Sequence, residues 1–393
     1  MAILLLIGGL LLFIGLVVAH EFGHFIMAKR GGVTVEEFGI GFPPRLWGRK
    51  TKGNWDFTLN ALPLGGFVRL KGEHDADTSK GSFGAAPLST KVKIMVAGVA
   101  MNLFIAYILL VVVNVMGTPL LVCGQYTVPS DTHVVRDNRA LQVDQVEANS
   151  PAALAGLQKG DKIIKTGVSE QSLSRVSTAC PFSDITHANA GKPLVMQYER
   201  DGKQFTTTAT ILTSEQVQAN AAKGQNTGYL GVVPVSSGYV VVRSTWSAPV
   251  AAAVQIKQFT VLTLKGIGSI LAGIGKAFVG LITGNTSERK AGQAQTTEQV
   301  SGPIGVFYIL KAGAHEGVAM TLFIVAIISL TLAIMNILPI PALDGGRLFV
   351  TLLYRGLKKP LTKKAEDRIH GTGFAVLLLL MVLISIVDIK RFF

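Results

Sequence analysis

A histidine-glutamate-histidine pattern lies inside an apolar stretch near the start of the chain. The segment "VVAHEFGHFI", residues 17–26, contains His20, Glu21 and His24. Residues four apart share one face of a helix, so the two imidazoles can bind one metal ion while Glu21 lies beside them as a base. Ionisable groups within an apolar helix usually face a protein interior or a wet cavity. The pattern predicts zinc-assisted hydrolysis with Glu21 as the general base, if a third protein ligand exists.

The sequence "NILPIPALDGGRL", residues 336–348, offers that ligand. Pro339 and Pro341 lack amide protons and interrupt a helix, so unwound backbone is expected at the end of an apolar segment. Irregular backbone at membrane depth requires a protein interior or a cavity around it. Asp344 is the single carboxylate of this motif, and we predict that it completes a zinc site that keeps one position open for water. Capping the helix that follows is an alternative role for Asp344, compatible with the first.

The composition is that of a membrane protein. Of the 393 residues, 49% are hydrophobic and only 16% are charged, and the mean hydropathy is +0.44. The formal net charge is +13. Because the lysines and arginines cluster beside apolar segments and do not form an aromatic-laced basic stripe, no nucleic-acid partner is predicted.

Long uncharged runs predict an α-helical polytopic fold with about four transmembrane helices. Lysine and arginine are concentrated in 29–93 and in 347–368, which are therefore predicted to be cytoplasmic, with both termini and the central segment outside. The predicted spans are 1–31, 91–121, 318–346 and 371–393, and 347–370 is a cytoplasmic loop.

Region 32–90 has no helical period, and its prolines and glycines indicate short strands and turns, although a plain cytoplasmic loop fits the composition as well. Segment 246–285 is predicted to be an amphipathic helix on the outer surface, because its lysines fall on one stripe. Residues 286–317 are a predicted linker.

The central segment contains a strand, a short helix and a second strand. Its motif "SPAALAGLQKGDKI", residues 150–163, resembles a PDZ domain of the type found in bacterial membrane and periplasmic proteases, which implies one extracytoplasmic α+β domain over 122–236. "YLGV" is similar to the peptide-carboxylate loop of that type. This likeness makes Tyr229, Leu230, Gly231 and Val232 the candidate peptide-binding residues. Cys123 and Cys180 both fall in this segment, and either a disulfide or two free thiols fits the sequence.

Over nearly its whole length the chain resembles the site-2 proteases, which are intramembrane zinc metalloproteases, and most closely their bacterial branch that cleaves anti-sigma factors. The resemblance depends on "HEFGH", "GVAMN" at 98–102, "SGPIGV" at 301–306 and "NILPIPALDGG", in this order. It implies that His20, His24 and Asp344 bind Zn²⁺ and that Asn336 holds the substrate backbone. It also implies that region 32–90 is a membrane-associated β-sheet whose strand edges bind an unwound substrate as an added strand, with Gly65 and Gly66 as candidate binding residues.

The same resemblance implies single-span membrane proteins as substrates, either anti-sigma factors or remnant signal peptides. It also implies a multi-pass protein of the bacterial inner membrane, with its active site near the cytoplasmic side. The best-studied enterobacterial relative has two PDZ copies where this chain has one, so the regulation of that relative need not apply here.

Two other functions are compatible with parts of the sequence. One is a catalytically inactive membrane scaffold whose PDZ domain binds peptides, and the other is a metal transporter. Glu21 disfavours both, because a structural or transport site needs ligands but no base; the absence of repeated halves also disfavours transport. Asn102 is either a substrate-binding residue or the donor of an interhelical hydrogen bond.

Overall fold

The computed structural model describes residues 1–137, 140–176, 179–222, 228–237, 240–284 and 302–392. The helices are α1 (Ala2–Arg30), α2 (Leu88–Met116), α3 (Pro151–Leu154), α4 (Ala179–Ala188), α5 (Ser214–Ala222), α6 (Ala248–Thr283), α7 (Pro303–Glu316), α8 (Val318–Ile337), α9 (Asp344–Gly356) and α10 (Lys363–Phe392). The strands are β1 (Val35–Lys50), β2 (Asp56–Leu70), β3 (Thr118–Leu120), β4 (His133–Asp137), β5 (Ala140–Val146), β6 (Lys162–Gly167), β7 (Ser174–Arg175), β8 (Pro193–Arg200), β9 (Lys203–Thr210), β10 (Val232–Ser237) and β11 (Val240–Arg243).

These elements form two compact units, which we call the helical unit and the strand-rich unit. The helical unit consists of Met1–Thr118, Tyr126–Val128 and Ser244–Phe393, and the strand-rich unit of Pro119–Gln125 and Pro129–Arg243. The HExxH and LDGG motifs therefore belong to one unit although more than three hundred residues separate them in sequence.

Five helices in the described part of the chain are long and apolar enough to cross a membrane. Four of them, α1, α2, α8 and α10, coincide with the predicted spans. The fifth is α6, the segment predicted to lie on the membrane surface. Its most apolar window has a mean hydropathy of 1.6, against 2.6 to 3.0 in the other four. Its length and composition fit either placement, so the surface location of α6 stays a prediction.

Several helix boundaries differ from those expected from the sequence. α9 occupies much of the predicted loop 347–370, α10 begins at Lys363, and α7 lies in the predicted linker 286–317. The remainder of that linker, 286–301, lies outside the described residues. α7 and α9 contain 14 and 13 residues. Helices of this length are too short to span a membrane, so they do not give rise to long apolar runs in the sequence.

Region 32–90 contains a hairpin of two long strands where short strands were expected. β1 and β2 have 16 and 15 residues and pair antiparallel, from Val35 opposite Leu70 to Lys50 opposite Asp56. Repeated register shifts interrupt the pairing, which explains why the sequence shows no unbroken alternation. Residues 37–40 of β1 pair both with 66–69 and with 56–59 of β2. The hairpin is therefore folded back on itself, and its edges with unpaired backbone groups are 45–50 of β1 and 66–70 of β2.

Small residues bring the helices of the helical unit close together. A Cβ atom built on Gly23 of α1 would lie 2.5 Å from the carbonyl oxygen of Ala97 on α2, so the two backbones are in contact at the HExxH motif. The Ser329 hydroxyl on α8 donates a hydrogen bond to the carbonyl oxygen of Asn102 on α2 at 2.8 Å. These contacts hold α1, α2 and α8 around the two histidines.

The strand-rich unit is organised around an antiparallel sheet with the strand order β10-β5-β6-β8-β9. Leu141, Val143, Leu194 and Met196 are fully buried in its core. The predicted strand, short helix and strand are β5, α3 and β6, and the Ser150 hydroxyl oxygen caps α3 by accepting the Ala153 amide at 3.2 Å. The strand order and the core do not by themselves identify a PDZ domain, so the PDZ assignment stays a prediction. The pairing of Cys123 with Cys180 lies outside the described residues, since the side chain of Cys180 is not among them.

Candidate metal centre

The three predicted ligands meet inside the helical unit. His20 Nε2 and His24 Nε2 lie 3.1 Å and 3.2 Å from Asp344 Oδ2, and the two ring nitrogens are 3.2 Å apart. Both histidines stand on one face of α1, as their spacing predicted. His20 is buried, with 7% of its surface exposed. One carboxylate oxygen and two ring nitrogens thus form a nearly equilateral triangle.

The chemistry of these three atoms fits a zinc ion. His24 Nδ1 donates a hydrogen bond to the carbonyl oxygen of Ile94 at 2.7 Å, so its Nε2 atom presents a lone pair. Asp344 Oδ2 is buried and has no hydrogen-bond partner among the described residues. Tetrahedral zinc with ligand bonds of about 2.0–2.1 Å places neighbouring ligand atoms roughly 3.3–3.4 Å apart. The observed separations are close to that value, so a cation in the triangle relieves the repulsion between facing lone pairs.

Asp344 is presented by the unwound chain that the prolines predicted. Leu338 to Leu343 separate α8 from α9, and Asp344 is the first residue of α9. The N-cap residue is Leu343, and no side chain caps this helix, so Asp344 does not make the capping hydrogen bond. A Cβ atom on Gly346 would lie 1.9 Å from the carbonyl oxygen of Ile340. The second glycine of the motif therefore lets the chain fold back on itself directly after the ligand.

A cavity of about 220 Å³ adjoins the triangle and contains the other polar residues selected from the sequence. Its lining includes His20, Glu21, Asn102, Asn336 and Asp344. Glu21 therefore faces the same space as the ligands, which is where a base for the attacking water must lie. Asn336 also lines this cavity. A residue that forms hydrogen bonds with a substrate backbone must be accessible from such a space.

Asn102 contacts a candidate ligand. Its Nδ2 atom lies 3.3 Å from His20 Nδ1, and its Oδ1 atom is buried with no partner among the described residues. Turning this amide by 180° exchanges two atoms of similar size. Oδ1 then accepts the Nδ1 proton of His20, which leaves the lone pair on Nε2 for a metal. Because His20 is on α1 and Asn102 is on α2, this contact is an interhelical hydrogen bond, one of the two roles considered for Asn102. Substrate binding by Asn102 stays a prediction.

The two candidate glycines of the hairpin have different surroundings. A Cβ atom on Gly66 would lie 3.4 Å from Glu21 Cγ, so β2 passes directly beside Glu21. A Cβ atom on Gly65 would instead meet the ring of Phe42 on β1 at 2.8 Å. Gly66 adjoins the site, whereas the contact of Gly65 is within the hairpin.

The residues of "YLGV" lie in the strand-rich unit. Leu230 is buried in its core, and Val232 begins β10 at one edge of its sheet. Gly231 has a φ of +76°, a left-handed conformation that favours glycine. The Tyr229 hydroxyl lies 3.2 Å from Ser214 Oγ. The motif therefore forms a turn that leads into an edge strand.

Sequence reasoning missed Gly98. A Cβ atom on this residue would lie 2.5 Å from His24 Nε2 and 2.7 Å from His20 Nε2, so the bare backbone of α2 forms one wall of the metal centre. The glycine stands in "GVAMN", where only Asn102 drew attention. Small residues at helix contacts are a known signal, but nothing in the sequence places this glycine opposite the histidines.

The chain is similar to known proteases over nearly its whole length. A family model described as peptidase family M50 matches residues 8–380. The zinc metalloprotease RasP of Geobacillus kaustophilus is 26% identical, covering 99% of this chain and 98% of that protein. The regulator of sigma-E protease RseP of Salmonella typhimurium is also 26% identical, covering 96% of each chain. A Clostridium perfringens relative, whose name includes the words zinc metalloprotease, is 29% identical with 98% of each chain covered.

Proposed function

This chain belongs to peptidase family M50 and is an intramembrane zinc metalloprotease, and from that premise we propose that it cuts single-span membrane proteins within or near their transmembrane segments. One observation carries the proposal: two histidines and one aspartate converge within 3.2 Å of one another, with Glu21 beside them, inside a helical unit of membrane-spanning character. A metalloprotease needs three ligands and a base, and these four groups supply them.

The reaction is hydrolysis of a peptide bond, with the roles divided among these residues. His20, His24 and Asp344 would hold a zinc ion, which would act as a Lewis acid on the scissile carbonyl and would lower the pKa of the attacking water. Glu21 accepts a proton as the water oxygen bonds to the carbonyl carbon. It returns that proton to the amide nitrogen as the carbon-nitrogen bond breaks. The products are a carboxylic acid and an amine, and the remaining proton of the attacking water then passes from the acid to the amine to give a carboxylate and an ammonium group.

The substrate must present an extended backbone to this site, because a helix uses its carbonyl groups in its own hydrogen bonds. Asn336 offers both a donor and an acceptor to such a backbone and lines the cavity of about 220 Å³ that contains Glu21. Gly66 places the backbone of β2 against Glu21, and 66–70 is an edge of the folded hairpin, so an unwound segment can pair with that edge as an added strand.

Orientation and substrate class follow from charge and from the relatives. The basic segments 29–93 and 347–368 favour a cytoplasmic location for the hairpin and for the mouth of the site. The strand-rich unit is then extracytoplasmic. The name of RseP, a regulator of sigma-E protease, supports anti-sigma factors as substrates, and remnant signal peptides have the same single-span form. A bacterial inner-membrane location follows from this reading.

The strand-rich unit is proposed to be a PDZ domain that docks or filters substrates. Its β10 is an edge strand of the sheet and directly follows the turn of Tyr229 to Gly231. A peptide can therefore extend the sheet at this edge, with its terminus near that turn.

The test is a Glu21→Gln variant of the full-length protein, co-expressed with a single-span substrate. We expect zinc content to stay at the wild-type level, because all three ligands remain, and cleavage to fall by at least about 10²-fold, because the proton acceptor is lost. Glu215→Gln, an exposed change on α5, is the matched control. Cleavage by Glu21→Gln at the wild-type rate would contradict the role of the base, and wild-type protein that never cleaves would favour the scaffold alternative.

A further inference from the structure

The helix α10 touches the segment that carries Asp344 at two points. A Cβ atom built on Gly373 would lie 2.5, 2.7 and 2.6 Å from the Cβ, carbonyl carbon and carbonyl oxygen of Pro341. The Ala342 amide donates a hydrogen bond to His370 Nδ1 at 3.2 Å. Residues three apart lie on the same helical face. One face of α10 therefore packs against the backbone immediately before the metal ligand.

The contacted backbone has an unfavourable conformation. Ala342 has a φ of +80°, a region that residues with a Cβ atom rarely occupy. Such conformations persist where their surroundings hold them, and they often occur at functional sites. Only Leu343, the N-cap of α9, separates Ala342 from Asp344. A rotation of this turn therefore changes the direction of the Asp344 carboxylate.

The side chain of His370 has no evident part in the hydrolysis. Since Nδ1 accepts the Ala342 amide proton, the ring proton is on Nε2 in the neutral imidazole. That Nε2 atom is buried and has no partner among the described residues. His370 lines a cavity of about 430 Å³ that Asp344 and Arg347 also line. Its hydrogen bond to the strained turn is thus a polar contact that the proposed mechanism does not use.

Other polar contacts fix α10 along its length. Asp388, buried near the end of α10, accepts hydrogen bonds from the amides of Gly302 and Gly305 at 2.9 and 2.8 Å. In the first turn, Glu366 accepts the Asp75 amide at 2.9 Å. Because these hydrogen bonds hold α10 near both ends, the middle of the helix is a fixed surface for Pro341 and Ala342, which pack against it.

We propose that His370 and Gly373 are positioning residues for the metal centre. Gly373 sets how closely α10 approaches Pro341, and His370 holds the Ala342 amide, so that the turn directs Asp344 towards His20 and His24. The inference rests on the proposed function, because it takes Asp344 to be a zinc ligand.

The first test compares two glycines on α10 in the full-length protein. Gly373→Ala inserts a methyl group against Pro341, whereas Gly371→Ala places one where no atom lies within 4 Å. Both changes raise helix propensity equally. We expect Gly373→Ala to raise the Kd for Zn²⁺ by about 10–100-fold, the usual effect of disturbing the support of a ligand. It should also shift the visible absorption of the Co²⁺-loaded protein, while Gly371→Ala leaves both unchanged.

The second test concerns the hydrogen bond. His370→Ala removes the acceptor for the Ala342 amide, and His370→Asn restores one, because the Asn Oδ1 atom can take the place of Nδ1. We expect His370→Ala to weaken zinc binding by about 10-fold and to lower kcat with little change in KM, and His370→Asn to recover much of both. His315→Ala, an exposed change on α7, is the control.

The outcomes separate this inference from the proposed function. A zinc-replete wild-type protein with unchanged Kd and Co²⁺ spectrum in Gly373→Ala and His370→Ala overturns the positioning role alone. A wild-type protein that binds no stoichiometric zinc overturns the proposed function, and this inference with it.

Discussion

The helical unit and the strand-rich unit obtain specific structure by opposite means. In the helical unit, the metal centre depends on glycines that bring backbones into contact, such as Gly98 against the two histidines. In the strand-rich unit, the fold depends on large apolar side chains such as Leu194 and Met196, which are fully buried. Adding a methyl group at a glycine contact should therefore impair zinc binding and proteolysis in the helical unit. Removing methyl groups from a buried side chain should instead lower the free energy of unfolding of the strand-rich unit.

The largest expected effect is that of Gly98→Ala. Its new Cβ atom would lie 2.5 Å from His24 Nε2, so the ligand must move. We expect zinc affinity to fall by at least about 10–100-fold and proteolysis to become undetectable, as measured by zinc content and by cleavage of a single-span substrate. Gly15→Ala on α1, where no atom lies within 4 Å, is the control. Wild-type zinc content and wild-type cleavage in Gly98→Ala would contradict the claim that the metal centre depends on close backbone contacts at glycine.

The second effect concerns the core of the strand-rich unit. Leu194→Ala removes a fully buried side chain from β8, and we expect a loss of about 2–5 kcal/mol in the local free energy of unfolding. Hydrogen exchange of the β8 amides in the full-length protein measures this loss. Leu154→Ala, at a side chain that is 83% exposed, should change little. Zinc content should stay at the wild-type level in both variants. A loss of zinc in Leu194→Ala would contradict the claim that the core of the strand-rich unit affects stability without affecting the metal centre.

A smaller effect is expected from a buried charge in the same unit. Asp161 is buried and accepts hydrogen bonds from Arg200 Nε and Nη2 at 2.6 and 2.7 Å. These bonds raise the pKa of the Arg200 guanidinium. Asp161→Asn keeps one acceptor but loses the charge, and should cost about 1–3 kcal/mol in the same exchange measurement. Asp201→Asn, at a neighbouring exposed carboxylate, is the reference. Equal exchange in the two variants would show that the core alone stabilises this unit.

The smallest effect should come from an exposed ion pair. Lys159 Nζ lies 3.1 Å from Asp144 Oδ1, and the two side chains are 77% and 54% exposed. Because water screens such pairs, Lys159→Ala should change the free energy of unfolding by less than about 1 kcal/mol. A change as large as that of Asp161→Asn would mean that surface charge, and not the core, sets the stability of this unit.

The sequence predicted the groups of the metal centre because polar residues in apolar helices are few and conspicuous. Two histidines one turn apart and one carboxylate in a proline-broken segment leave little choice of ligands. The spans α1, α2, α8 and α10 were also predictable, since length and apolarity define them. Positions that depend on tertiary contact were not predictable. Gly98 is one glycine among 43.

His370 and the helix α9 are two further features that the sequence did not predict. A histidine at the edge of a predicted span suggests a surface residue, and only the fold brings its ring to the Ala342 amide. α9 is short and polar on one side, so length and apolarity do not distinguish it from a loop. In the strand-rich unit, the order of strand, helix and strand was predictable from the sequence, but the common apolar residues of its core do not indicate a ligand. The functional assignment of that unit therefore depends on its resemblance to a PDZ domain.

The central claim is that His20, His24 and Asp344 hold one zinc ion. The most direct measurement is the zinc content per chain of the purified wild-type protein and of Asp344→Ala, by inductively coupled plasma mass spectrometry. The account predicts one zinc ion per wild-type chain and well under half of that in the variant, which retains only two protein ligands. A full equivalent of zinc in Asp344→Ala would contradict it.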